Sequence, residues 1–162
     1  MIFLQPLGKV NADMLNFLSH RLNSLWLTEI LPQVDILADA YNQNRGQYEG
    51  LALLNTFQLR GDATLGVTEV DTYTEGLNFI FGLALGRKAL ISLKRLKPKF
   101  YGSPDDDELF KLRVLKEAMH ELGHIFGLNH CSNRKCVMYF SNSIWDTDVK
   151  DRRYCRKCLG RK

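Results

Sequence analysis

The pattern of apolar residues predicts an α+β (α/β) fold, an open, twisted mixed sheet backed by helices, in a single domain spanning residues 1–162. Three observations carry this. Segments of strand and helix periodicity follow one another as strand, helix, strand, helix, three strands and a long helix. The chain has 162 residues and is 45% apolar, enough for one core and short for two. No repeat, low-complexity segment or linker divides it, and the turns at Lys97-Pro98 and Tyr101-Gly102-Ser103-Pro104 separate elements rather than domains.

The elements can be justified in order. Residues 1–7 read as a strand, and 11–26 as an amphipathic helix with Met14, Leu15, Leu18, Leu22, Leu25 and Trp26 on one side. His20, in Ser19-His20-Arg21, has no partner at ligand spacing and reads as a surface residue of that helix. A strand near 27–31 is followed by a helix-like run over 39–58 through Tyr48, Leu51, Leu54 and Phe57. Strand candidates then lie at Leu65–Val70, Leu77–Leu85 and Lys88–Leu93. A long helix over about 104–127 carries the most start signals. Ser103 offers an N-cap, Pro104 a first-turn proline, and Asp105 to Glu108 place negative charge at the positive end of the helix dipole.

The last two turns of that helix hold the chemistry. His120-Glu121-Leu122-Gly123-His124-Ile125-Phe126-Gly127-Leu128-Asn129-His130 contains three of the four histidines. His120 and His124 stand at i, i+4, so both rings leave one helix face and supply two nitrogens to a metal without any loop ordering. Glu121 points about a quarter-turn away, placed to bond a metal-bound water rather than the metal. Gly127 can take the left-handed conformation that ends a helix, letting the chain turn back and bring His130 toward the same ion. Three protein ligands plus water is the arrangement of a catalytic zinc. A bare HExxH arises by accident in many helices; the added glycine and third histidine at fixed offsets make coincidence improbable.

All four cysteines lie between positions 131 and 158, as Cys131-x4-Cys136 and Cys155-x2-Cys158. Two close pairs are the spacing of a four-cysteine structural zinc site, with two disulfides or four unpaired thiols as alternatives. Disulfides need an oxidising compartment. The start Met1-Ile2-Phe3-Leu4-Gln5-Pro6 lacks a basic region, an apolar run of adequate length and a cleavage site. No apolar run reaches the roughly 20 residues of a membrane span. A cytoplasmic protein holding a second zinc is the reading these features favour.

The whole pattern, HExxHxxGxxHC-x4-C-x-M followed by C-x-x-C, resembles that of the archaemetzincins, a metzincin branch with four cysteines around its Met-turn. The match runs from His120 to Cys158, about a quarter of the chain. The resemblance implies a compact metzincin-like domain with an active-site helix. An upper part (1–127) would face a lower part (128–162) that carries the Met-turn and a small zinc-bound subdomain. It implies that Met138 lies beneath the catalytic zinc, packing under the imidazoles without coordinating. It also implies a cleft below an antiparallel edge strand, for which Leu77-Asn78-Phe79-Ile80-Phe81 is the candidate by its place in the order alone. Some metzincins carry a tyrosine two residues after the methionine to help bind the oxyanion; here that position is Phe140, which has no hydroxyl.

The expected activity is zinc-dependent hydrolysis of peptide bonds, with Glu121 as general base and zinc lowering the pKa of its bound water. Two zincs per chain are expected, one catalytic on His120, His124 and His130, one structural on Cys131, Cys136, Cys155 and Cys158. The alternative is a zinc-stabilised peptide-binding protein with little or no hydrolysis, against which the presence of Glu121 argues. Net charge is +4, and Arg152, Arg153, Arg156, Lys157, Arg161 and Lys162 read as the solvated surface of the zinc-bound tail, so a peptide or protein substrate is expected and nucleic acid is not. Endo- against aminopeptidase cleavage, substrate preference and oligomeric state are not legible.

Overall fold

The structure, a computed structural model, describes residues 1–160. Its central sheet is built from β1 (Ile2–Leu7), β2 (Thr28–Ile30), β5 (Ala63–Thr68), β7 (Gly82–Leu85) and β8 (Lys88–Ser92), in the order β2-β1-β5-β8-β7. The first four in that order run parallel; β7 is antiparallel to β8, with Gly82 opposite Ile91 and Leu85 opposite Lys88. A smaller sheet joins β3 (Tyr41–Asn42), β4 (Gln47–Glu49) and β6 (Thr72–Tyr73).

All six residues of β5 are buried, as expected of a central parallel strand covered on both faces. On one face Ile2, Leu4, Leu65, Val67 and Ile91 pack with α1 (Ala12–Leu22) and α3 (Asp107–Ile125) through Leu18, Leu22, Val114, Ala118 and Leu122. On the other, Leu7 and Leu90 meet Leu53 and Leu54 of α2 (Gly50–Leu54) together with Phe57. The open mixed sheet backed by two helices is therefore present, with a third, short helix closing the opposite face.

Four boundaries differ from the sequence expectation. α1 stops at Leu22 rather than 26, because Asn23 and Ser24 bond locally: Asn23 Oδ1 accepts from the Thr28 N–H and the Ser24 hydroxyl donates to the Arg21 carbonyl. Leu25 consequently leaves the apolar face and is 58% exposed, whereas Trp26 stacks on Phe126 at 5.3 Å. The expected helix over 39–58 is only α2. Asn42 Oδ1 accepts from the N–H groups of Asn44 and Arg45, turning the chain into the β3–β4 hairpin before Glu49 caps α2. α3 begins three residues late, since Asp106 rather than Ser103 is its N-cap, accepting from the Leu109 N–H at 3.1 Å. Ser103 and Pro104 instead follow a 3-10 turn over Pro98–Tyr101 that Gly102 ends. The segment 77–81, expected as the edge strand, forms no ladder. Its Leu77 and Asn78 carbonyls are taken by Arg45, Gln47 adds a bond to Asn78, and the antiparallel edge is β7 immediately after it.

Two short helices, α4 (Ile144–Val149) and α5 (Arg156–Leu159), were not legible in the sequence pattern. α4 is docked on α3 by charge. Arg113 forms a bidentate pair with Asp148 at 2.8 Å, and buried Lys116 donates to the Thr147 and Asp148 carbonyls at the end of α4. A cation at that end also complements the dipole. Among the described residues no helix is long and apolar enough to cross a membrane.

Candidate active site and metal centres

α3 ends in two hydrogen bonds that reverse the chain. The Leu128 N–H reaches the Gly123 carbonyl (2.9 Å) and the Gly127 N–H the His124 carbonyl (3.1 Å), with Gly127 at φ 95°, the pairing of a Schellman motif. This turn returns His130 over the face that carries His120 and His124. The nearest ligand-type nitrogens of the three rings all lie within 4.8 Å of one another. His120 Nδ1–H donates to the Val137 carbonyl at 2.7 Å and His124 Nδ1–H to the Leu128 carbonyl at 2.8 Å, which leaves both Nε2 atoms bare and aimed inward. Those two Nε2 atoms are 3.2 Å apart. Zinc–nitrogen bonds of about 2.0–2.1 Å in a tetrahedron require about 3.3 Å, so the pair fits zinc as it stands. Burial is the main cause holding all three imidazoles below their ordinary pKa, in the neutral form that a metal binds.

Glu121 lies on α3 beside these rings and is 4% exposed, with Oε2 unpartnered. Burial first, and then the Glu117 carboxylate one turn earlier, push its carboxyl well above the ordinary value, while the buried Lys150 ammonium pulls it down. Both glutamates and the three histidines face a cavity of about 510 Å³, walled above by residues 77–84 and below by Phe140, Ser141 and Asn142. Gly82 of β7 is where the upper wall meets the carboxylate. A Cβ there would stand 2.6 Å from Glu121 Oε1 and 2.8 Å from the Leu90 carbonyl. Gly82→Ala is accordingly expected to cost about 1–3 kcal/mol of stability through overpacking. Denaturant unfolding measures this, and an unchanged midpoint would show that the close approach is absent.

Met138 is fully buried under α3, its Sδ so near Gly123 that a Cβ at that position would come within 2.4 Å. The segment around it is pinned on several sides: the Cys131 N–H donates to the Met138 carbonyl, the Val137 N–H to Arg153, and the Tyr154 hydroxyl to the Met119 carbonyl of α3. Phe140 faces the cavity with its ring 5.0 Å from that of His130. Tyr139 is half-buried and gives its carbonyl to Lys150 Nζ at 3.0 Å.

Cys131, Cys136, Cys155 and Cys158 come together as unpaired thiols, their Sγ atoms within 4.8 Å of one another. Cys131 and Cys155 are 3.8 Å apart, Cys136 and Cys158 3.7 Å. Tetrahedral zinc with bonds of about 2.3 Å sets sulfurs about 3.8 Å apart, which again fits. The Met138 and Cys155 N–H groups donate to Cys136 Sγ, and Cys155 itself is lowered to about 6, chiefly by the Cys158 N–H. Cys131 thus turns away from the histidines. His20 is exposed on α1.

Glu117, Lys150 and Gly82 escaped the sequence reading. Glu117 had one available signal, its spacing of i−3 to His120 and i−4 to Glu121. Lys150, at the head of the basic tail, gives no sign that its side chain is 2% exposed. Arg161 and Lys162 of that tail lie outside the described residues.

Comparison with known proteins agrees with this geometry. The model of peptidase family M54 matches residues 28–161. The chain is 52% identical to the archaemetzincin of Methanocaldococcus jannaschii, over 98% of this chain and 90% of that one, and 51% identical to that of Pyrococcus furiosus over the same shares. The crystal structure of the Archaeoglobus fulgidus archaemetzincin superposes with a TM-score of 0.88 at 40% identity, covering 99% of both chains. A zinc-dependent peptidase from Methanocorpusculum labreanum superposes with a TM-score of 0.84 at 27% identity, covering 99% of this chain and 98% of that one. The chain belongs to the archaemetzincins, peptidase family M54, and is a zinc-dependent peptidase of that family.

Proposed function

We propose that His120, His124 and His130 hold the catalytic zinc and that Glu121 is the general base for peptide hydrolysis. Zinc held there would acidify water toward neutrality and polarise a peptide carbonyl. The observation that carries the reading is the convergence of three neutral imidazoles, two of them locked through Nδ1, beside a buried carboxylate whose Oε2 is unpartnered. Glu121 would take the proton of the attacking water and deliver it to the leaving amine. Its raised pKa makes it a stronger base than an ordinary carboxylate. Phe140 offers no hydroxyl at the position where some metzincins have one.

β7 is the terminal strand of the sheet and forms part of the cavity's upper wall, so an extended peptide can add to it as a further antiparallel strand. The four cysteines would hold a second, structural zinc, with residues 128–162 acting as the lower part of a single domain. Unpaired thiols at zinc spacing favour a reducing, cytoplasmic setting. Metal analysis tests the assignment: wild type is expected to hold two zincs per chain and His124→Ala one, with hydrolysis of a peptide library lost in the variant and on chelation. Two metals retained in His124→Ala would overturn it.

A further inference from the structure

α3 carries more toward the cavity than the zinc motif requires. Glu117, His120, Glu121 and His124 stand at i, i+3, i+4 and i+7, one stripe of the helix, and all four line the same cavity. Glu117 is 3% exposed and its Oε2 has no hydrogen-bond partner. A buried acceptor left without a donor keeps the full desolvation penalty of that group, larger when the group is charged. No role in zinc binding or proton transfer explains why the chain retains that cost one turn behind its base.

We propose that Glu117 is a specificity-determining residue of the peptidase cleft, and that its carboxylate receives a cationic nitrogen of the substrate, an ammonium or guanidinium. The inference rests on the peptidase reading of this cavity. Burial raises the Glu117 carboxyl above its ordinary range while the Lys150 ammonium pulls it down. A cation arriving beside it favours the ionised form, which only accepts hydrogen bonds, so its complement is a donor. Charge then selects a cation among donors. Lys150 is the buried ammonium that faces both Glu117 and Glu121, and its Nζ donates to the Tyr139 carbonyl while Glu117 Oε2 stays unbonded. Two carboxylates therefore share one buried cation. An arriving ammonium completes that balance, whereas an acidic side chain would add a third negative charge.

The remainder of the wall fits the same occupant. Leu77, Phe79, Phe81 and Leu83 line the same cavity as Glu117 and give it apolar surface. The stem of a lysine or arginine side chain lies well on such a surface while its head reaches a polar partner. A peptide's own amino terminus has the same ammonium chemistry without the stem, so the two sources separate experimentally.

The test uses the zinc-loaded full chain with Glu121 in place, so that both carboxylates remain, alone and with Glu117→Gln, each reading taken before appreciable cleavage as checked by mass spectrometry. Fluorescence anisotropy would measure binding of labelled peptides that carry lysine, norleucine or glutamate at each position in turn, every one made both N-acetylated and with a free amine. At one position, lysine is expected to bind at least about tenfold tighter than norleucine, the worth of one charge-assisted hydrogen bond. Glu117→Gln should reduce that ratio to about one with zinc content and thermal midpoint unchanged. A preference that follows the free amine, and vanishes on acetylation whatever the side chain, identifies the amino terminus as the cation and equally supports the site. Equal binding of lysine, norleucine and free-amine peptides, or a preference that survives Glu117→Gln, overturns the proposal. Should Glu117→Gln fail to fold, the ratios in the Glu117 background decide alone, because absence of any cation preference there refutes it. Failure of the underlying peptidase reading shows separately, as full hydrolysis by Glu121→Ala on unlabelled peptides.

Discussion

Glu121→Ala is expected to keep both zincs and the fold while hydrolysis falls about 10²–10⁴-fold, the usual contribution of a positioned general base. The proposed assignment leaves this side chain outside the ligand set, since the ligand-type nitrogens of the three histidines converge without it. Glu121 is also a buried carboxyl with an unsatisfied Oε2, so its removal leaves no hydrogen-bond donor without an acceptor there, and Lys150 keeps both Glu117 and the Tyr139 carbonyl. Stability should therefore change far less than turnover. Steady-state rates on a cleaved peptide, read beside metal content, check this. A variant with full rate would dismiss the carboxylate from the reaction, and one that loses zinc would move it into the ligand set.

Cys136→Ser is expected to have the largest effect on structure. Cys136 is 1% exposed, lies 3.7 Å from Cys158, and accepts N–H groups from Met138 and Cys155. Structural zinc sites are worth about 10–16 kcal/mol of apparent binding energy at neutral pH, and in small units that energy is folding energy. The loss should spread to the histidines, because Cys131 directly follows His130 and the Val137 carbonyl orients His120. Zinc content should fall below one per chain, and limited proteolysis should open residues between 131 and 158. A variant that loses one metal yet remains protease-resistant and active would show that the two centres are independent.

Much of the site was readable because its determinants are local. Helical spacing alone places His120 and His124 together, and Gly127 alone allows the reversal that recruits His130. The zinc-sized clustering of the cysteines likewise followed from two short spacings. What escaped depends on contacts distant in sequence. Glu117 looks like any charge on a helix until β7 and residues 77–81 cover it, and Lys150 reads as one more tail cation until its ammonium reaches Tyr139. In the fold, the strands of the central sheet were legible from their apolar runs. The misread helix over 39–58 shows the limit of periodicity, since the Asn42 side chain captured two backbone N–H groups and outweighed an apolar spacing that suited a helix. The edge strand was displaced by a few residues for a related reason: Arg45 and Gln47, far upstream, satisfy the carbonyls of Leu77 and Asn78.

The anchors that orient two of the imidazoles, at Val137 and Leu128, are main-chain carbonyls rather than side chains. A change of side chain at either position leaves its carbonyl in place. Substitutions there should therefore be felt through local packing, and not through loss of the groups that aim the rings.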